Sequence, residues 1–357
     1  MDAGGARYAS APPAVQECRT VSQESPFATR ELGRTGLALT ELGLGCAAMA
    51  GNHRPVADED VAGAIDEGLG VGIRFVDTAP FYGFGRSERF VGDALRPLDG
   101  EYVLSTKAGR LLRPGAAPEA DARDWPGALP FTPVYDYGYD AVMRSYEDSL
   151  QRLGVPRIDV LLLHDIGEMQ HGKARNDALF ADAMDGGYRA LDELRRAGDV
   201  RAIGLGVNER EVCLAALEHG DWDAFLLAGR YTLLEQAPLD DLFPACAERG
   251  TGIILGGPYN SGILAGGDTW NYAKAPAEVV DKARAIARVC ESHGVALQAA
   301  ALRFPLGSPL VASVIPGPRS RAEARQNAEW FAEAIPASLW SDLAAEGLVR
   351  ADAPLPG

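Results

Sequence analysis

The chain is poor in the residues that staple small domains or bind metals. Its five cysteines, Cys18, Cys46, Cys213, Cys246 and Cys290, contain no Cys-x-x-Cys pair and are odd in number. That argues against a disulfide framework and suits a reducing compartment. Histidine is equally scarce, and His164, His171 and His219 fall at no recognisable ligand spacing, so no metal is assigned. No apolar stretch is long enough to span a bilayer, and no basic segment runs into an apolar one in the secretory manner, so a cytoplasmic location is expected. Neither Gly-x-x-x-x-Gly-Lys-Ser/Thr nor Gly-x-Ser-x-Gly occurs, which leaves nucleotide hydrolysis and serine-hydrolase chemistry without an anchor.

Positive charge is also short: 34 Lys and Arg stand against 50 Asp and Glu, a formal net charge of −16. Such a field repels phosphate backbones and anionic lipid, so neither nucleic acid nor a membrane surface is an expected partner. An anionic cofactor must then be held locally, by backbone N–H groups and a few arginines. Nothing in the composition fixes an oligomeric state.

Residues 1–29 are rich in Ala, Ser, Pro and Gly without periodicity and read as a flexible extension. Glu31 to Leu37 place a Gly-containing turn between two short apolar segments, which predicts a hairpin able to plug one end of a barrel. From there short apolar runs alternate with helical periods. The predicted strands are Leu42–Leu44, Phe75–Thr78, Tyr102–Thr106, Val160–Leu163, Ala202–Val207, Ala224–Leu227, Gly252–Leu255 and Ser313–Ile315. Amphipathic stretches such as Asp58–Leu69, Tyr139–Leu153, Met184–Ala197 and Glu278–His293 separate them. Runs apolar on both faces point to parallel strands, and eight close a barrel. A doubly wound open sheet fits the same alternation, but it would carry a Gly-rich turn after its first strand, and Gly43 to Ala48 lacks the third spacing. The expectation is an α/β fold, a (β/α)8 TIM barrel with an N-terminal β-hairpin cap.

In such a barrel function gathers at the C-terminal ends of the strands. Asp77, Lys107 and His164 each end a predicted strand, and Tyr82 lies in the turn after the first of these. Singly, each has an ordinary structural role: a cap, a solvated amine, a packed ring. Together they form a proton-transfer set. A phenol of ordinary pKa near 10 serves poorly at neutral pH unless a cation stabilises its phenolate. Lys107 supplies that cation in this reading, Asp77 compensates the buried ammonium, and His164 hydrogen-bonds the reacting oxygen.

These residues, in this chain order, resemble the aldo-keto reductase superfamily and its Asp, Tyr, Lys, His tetrad. The resemblance spans residues 30–348, leaving 349–357 as a tail, and is sharpened by Phe75 to Gly83, Gly85 to Glu88 and Asp148 to Gly154. Within the superfamily the chain is similar to the branch of D-threo-aldose 1-dehydrogenase, L-fucose, L-galactose and pyridoxal 4-dehydrogenases. The text of Asp136 to Ser145, Ala228 to Leu234, Gly256 to Leu264 and Tyr272 to Pro276 carries this second likeness.

The resemblance implies a nicotinamide cofactor. It places Asn208 on the carboxamide and the segment with Gly256, Gly257, Pro258, Asn260, Gly262 and Leu264 beside the nucleotide. Ile315, Gly317, Arg319 and Arg321 fall at the adenosine-phosphate end, with Gln326 and Asn327 on the adenine side. Gly256 stands where many relatives stack an aromatic ring, so Tyr231 or Tyr259 is a candidate substitute. NADP-dependent relatives commonly carry a Lys-Ser pair and an arginine where this chain has Gly317, Pro318 and Glu323. The acidic residue suits NAD, while Arg319 and Arg321 keep NADP open.

Substrate contacts are expected from Trp125 and Tyr135 in the long segment Arg113–Tyr137, and from Tyr231, Tyr259 and Trp270. The predicted activity is hydride transfer between nicotinamide and a small hydroxyl or carbonyl compound, above all oxidation of a free aldose at C1 to the lactone, with a sugar or a pyridoxal-like molecule as substrate. An NADPH-dependent reductase of a specialised aldehyde or ketone is the second reading. A regulatory subunit that binds cofactor without turnover is the third, and the intact tetrad argues against it.

Overall fold

A computed structural model describes residues 25–116 and 118–357. Residues 1–24, most of the expected flexible extension, and with them Cys18, lie outside the described residues. The remaining cysteines are free and buried.

Eight strands form one parallel sheet in sequential order. They are β1 (Leu44–Gly45), β2 (Phe75–Asp77), β3 (Val103–Ala108), β4 (Val160–His164), β5 (Ala202–Val207), β6 (Ala224–Ala228), β7 (Gly252–Gly256) and β8 (Val311–Ile315). The sheet closes on itself where Leu42 bridges Val314 and the Gly43 and Gly45 N–H groups donate to the Val314 and Pro316 carbonyls at 2.9 and 3.0 Å. Closure removes both sheet edges, which the open doubly wound alternative would leave bare. Six strands, β1, β2, β4, β5, β7 and β8, are buried at every residue, as parallel strands covered on both faces must be. Gly204 in β5 permits the tightest approach, since a Cβ there would fall 1.7 Å from the Ala224 carbonyl oxygen.

The predicted N-terminal hairpin pairs Thr29–Glu31 with Ala38–Thr40 antiparallel. Leu32, Leu37 and Leu39 are wholly buried and pack with Phe75, Val160, Leu162, Ala224, Leu226 and Ile254 inside the barrel. The turn enters so closely that a Cβ on Gly33 would meet the Gly250 carbonyl at 2.6 Å, and Gly33 has φ +55°. The hairpin thus plugs the N-terminal end and leaves the C-terminal rim for chemistry.

Two further strand pairs decorate that rim. Arg110–Pro114 pairs antiparallel with Phe131–Tyr135, giving regular structure to what reads in the sequence as a long loop, and Thr269–Trp270 pairs with Ala273–Lys274. Helices cross over between the strands, among them Asp58–Gly70, Tyr139–Leu153 and Ala277–Ser292.

Candidate active site

Asp77 ends β2 opposite Ser105 of β3, and Lys107 lies two residues beyond Ser105, so both side chains fall on the same face of the sheet. Lys107 Nζ donates to Asp77 Oδ2 at 2.7 Å and to the Thr78 carbonyl at 2.8 Å, and both side chains are buried. Burial raises the Asp77 carboxyl, against the pull of the Lys107 ammonium.

Tyr82 is held over this pair by a turn in which Gly83, Phe84 and Gly85 all have positive φ. Lys107 Nζ lies 4.8 Å from the Tyr82 ring centroid, and Trp125 stacks on the other aromatic neighbours of the turn, 5.7 Å from Tyr82 at 22° and edge-on to Phe81. The motif that follows is scaffold. Ser87 bonds Thr78 at 2.8 Å and the Cys46 carbonyl at 3.1 Å, while buried Glu88 accepts from Thr106 at 2.7 Å and from Arg152 at 2.5 Å. Gly85 to Glu88 and Arg152 therefore brace the Tyr82 turn against β3 and the helix Tyr139–Leu153.

His164 ends β4 with its ring edge-on to Tyr82 at 5.6 Å between centroids. Its Nδ1 is buried without a partner and its Nε2 lies 3.5 Å from Asp165 Oδ2. Burial, then Arg110, then Lys107 hold the imidazole well below its ordinary pKa, so it is neutral at physiological pH. The phenol of Tyr82 moves the other way. Burial, with Asp77 and Asp165, pushes it well above 10, and Arg110 opposes them. The sequence reading assigned stabilisation of the phenolate to Lys107. In the structure two of the three Lys107 donors go to Asp77 and Thr78, and the net direction is upward because desolvation dominates.

The residues expected at the cofactor divide. Asn208 follows β5 at the rim, with its Nδ2 donating to Asp165 at 3.3 Å and its Oδ1 accepting from the Tyr272 hydroxyl at 3.1 Å. Gly256 ends β7 with no side chain between Leu226 and Ala228, and Gly257 has φ +58°. Gly262, φ +110°, lies in the turn Asn260–Ala265 that Pro258 and Tyr259 lead into. Gly317 lets the β8 loop approach the β1 loop, since a Cβ there would lie 3.1 Å from that of Ala48. Beyond it Ser320 caps the helix Arg321–Ala332, and the Nε of Arg319 is buried without a partner. A close glycine approach, a capped helix N-terminus and an uncommitted guanidinium fit a nucleotide phosphate group.

Other expected contacts turn away. Asn260 gives its side chain to Gly229, Glu235 and Thr232, and Leu264 and Ile315 are buried in the core. Arg321 pairs with Glu67 at 2.9 Å and Asp66 on the outer helix, and Gln326 bonds Glu329. Asn327 accepts from the Tyr259 hydroxyl at 2.8 Å, which ties Tyr259 to the last helices rather than to the tetrad. Tyr231 does not reach the site: it is fully buried against Phe243 and Phe304. Trp270 is turned to Glu235 at 3.0 Å. Trp125 alone among the expected substrate aromatics touches the tetrad, while Tyr135 stacks on Arg110 and His171.

Four residues with no site role assigned from sequence join the site: Phe81, Arg110, Asp165 and Tyr272. The signal for two of them was position, since Asp165 follows His164 and Arg110 lies three residues beyond Lys107.

A plugged (β/α)8 barrel whose open rim gathers a buried amine and carboxylate, a phenol and a neutral imidazole has the form of a carbonyl–alcohol oxidoreductase. The comparisons agree. A model described as the aldo/keto reductase family matches residues 41–345, and the chain belongs to that family as an NAD(P)-dependent oxidoreductase. Pyridoxal 4-dehydrogenase of Microbacterium luteolum is 44% identical over 90% of this chain and 97% of its own length. D-threo-aldose 1-dehydrogenase of a Pseudomonas species is 38% identical, over 88% and 96%. The solved holo form of an aldo-keto reductase from Bacillus halodurans shares the fold, with a TM-score of 0.70, 24% identity and coverage of 91% and 97%. No helix among the described residues is long and apolar enough to cross a membrane.

Proposed function

We propose that this chain oxidises the hydroxyl of a cyclic hemiacetal to the lactone with NAD, an aldose at C1 being the substrate class of first choice. The buried Lys107–Asp77 pair beneath Tyr82 and beside His164 is the observation that carries the reading. The two most similar relatives named above act on an aldose and on pyridoxal. Both substrates pair an aldehyde with a hydroxyl that can close onto it, so one hemiacetal chemistry serves both.

Tyr82 is the proton carrier, taking the hydroxyl proton in oxidation and returning it in reduction. His164, neutral and edge-on to Tyr82, orients the reacting oxygen. Lys107 and Asp77 hold the floor on which Tyr82 rests, and Trp125 offers an apolar face to a ring. Asn208, Gly256, Gly257, Gly317 and Arg319 would hold the cofactor. When bound, the oxidised nicotinamide accepts the hydride and adds a positive charge to the site. Glu323 supports NAD over NADP: its carboxylate, in the first turn of the helix Arg321–Ala332, already accepts the Arg319 N–H at 2.7 Å and pairs with Arg54 at 3.4 Å. A 2′-phosphate would meet that negative charge.

One observation favours the reductase reading. A phenol raised above its ordinary range stays protonated at neutral pH, ready to donate to a carbonyl. Absorbance at the reduced-nicotinamide band separates the two, with NAD and NADP each offered L-fucose, D-arabinose, L-galactose and pyridoxal. Reduction of NAD is expected. Silence there, with NADPH oxidised by simple carbonyls, would transfer the chain to the reductase reading.

A further inference from the structure

The Lys107–Asp77 pair has a counterpart that the chemistry above leaves unused. Arg110, where the chain leaves β3, is 1% exposed and its Nη2 pairs with Oδ2 of Asp165. Its guanidinium is confined on two further sides, 4.0 Å over the Phe81 ring and 5.0 Å from that of Tyr135. Its Nε and Nη1 have no acceptor. A cation buried this completely stays where its counter-ion holds it.

The Asp165 oxygen that pairs with Arg110 is the same atom that lies 3.5 Å from His164 Nε2. The other oxygen, Oδ1, accepts from Asn208. A carboxylate beside an imidazole normally draws a second proton onto the ring, as any nearby opposite charge favours the ionised form. Here that carboxylate is already claimed. Building on the oxidoreductase reading, we propose that Arg110 is a positioning residue: by engaging the shared oxygen of Asp165 it leaves His164 uncharged, so that Tyr82 and not His164 carries the proton.

Against the Asp165 carboxylate, the cations facing His164 agree in sign. Lys107 and Arg110 approach from β3 and its extension, and both disfavour an imidazolium. Tyr82 faces it from the β2 turn. The Tyr137 hydroxyl donates to the His164 carbonyl at 2.7 Å and meets His171, itself held down to about 4, so no other acid competes there. Without Arg110, Asp165 Oδ2 beside the ring would lose its guanidinium partner and only Oδ1 would keep one, Asn208.

The test reads the charge of His164 directly. Ring resonances of the histidine-labelled full chain are followed from pH 5 to 8, with His164 assigned by its loss in H164N. In the unaltered chain His164 should stay neutral throughout; a charged His164 at pH 6 overturns the proposal with no variant needed. In R110M the resonance should titrate inside this window, its pKa rising by about one unit or more. NAD-linked turnover of R110M should then fall about tenfold below that of the unaltered chain at pH 5.5, while the two rates agree at pH 8. The double variant R110M/D165N should return His164 to neutrality and restore the acid-side rate. If R110M loses activity equally at every pH, or the double variant repairs nothing, Arg110 only supports the loop. Should the unaltered chain oxidise none of the substrates, the functional reading fails, and the resonances still decide the role of Arg110.

Discussion

The two ends of the barrel solve opposite problems with the same strands. At the N-terminal end, Leu32, Leu37 and Leu39 fill the bore with apolar side chains, and the charged groups of the hairpin stay outside. At the C-terminal end, Lys107, Asp77, Arg110 and His164 are also buried, none more than 4% exposed. Burying apolar area stabilises the fold, whereas burying charge costs free energy unless it is paired. The difference teaches where this chain holds its stability and where it holds its chemistry. The two should respond separately to substitution.

The largest effect should come from the rim. Y82F should lower turnover about 10²–10⁴-fold, the range for one proton-transfer group. Cofactor affinity, read by quenching of tryptophan fluorescence, should change little. Undiminished turnover would remove Tyr82 from the mechanism. At the opposite end L39A should destabilise the fold by about 2–5 kcal/mol in denaturant titrations, with kcat at low temperature nearly unchanged. A matching loss of kcat would erase the contrast between the two ends.

A pH profile sharpens it further. Because the Tyr82 phenol is raised, the phenolate needed to accept a proton is scarce at neutral pH and grows about tenfold per unit on the acid side of its pKa. Oxidation should therefore quicken toward alkaline pH and carbonyl reduction should slow, measured as initial rates in each direction. A flat oxidation profile would mean that proton transfer does not limit the rate. The smallest effect is expected at Glu323. E323Q should shift the NADP to NAD ratio of kcat/KM toward NADP by roughly tenfold, about 1.4 kcal/mol, and no shift would separate that carboxylate from cofactor choice.

The strands were legible because they are buried on both faces and so read as continuous apolar runs. The structure matches Ala202–Val207 at both ends and moves most others by a residue or two. The first was placed at Leu42–Leu44, where Leu42 makes a lone bridge and β1 starts at Leu44, and the last missed Val311 and Ala312. Asp77, Lys107 and His164 were legible because polar residues closing such runs have few structural uses at a barrel rim. The hairpin Arg110–Pro114 was not, since prolines at 114 and 133 and glycines at 115 and 127 read as loop punctuation. They are accommodated at a two-stranded edge. Tyr231 and Arg321 misled for a different reason. Each has a residue type suited to a ligand, but Tyr231 meets Phe243 and Phe304 and Arg321 meets Glu67, partners far away in sequence that no local pattern reveals. Tyr272 was read only as part of the branch resemblance, because its contact with Asn208 depends on two consecutive left-handed residues, Asn271 and Tyr272, that bend the chain back.

The N-terminal plug also sets an order of events during synthesis. Its leucines leave the ribosome first, yet they pack with Ile254, Ala312 and Ile315, and Arg30 donates to the Ser308 and Val311 carbonyls. At roughly 5–20 residues per second, the hairpin waits on the order of tens of seconds before its seat exists. A nascent chain arrested before β8 would present three unburied leucines on a short strand pair, a surface for chaperones to hold. Completion of the last strand is thus the step that releases the first.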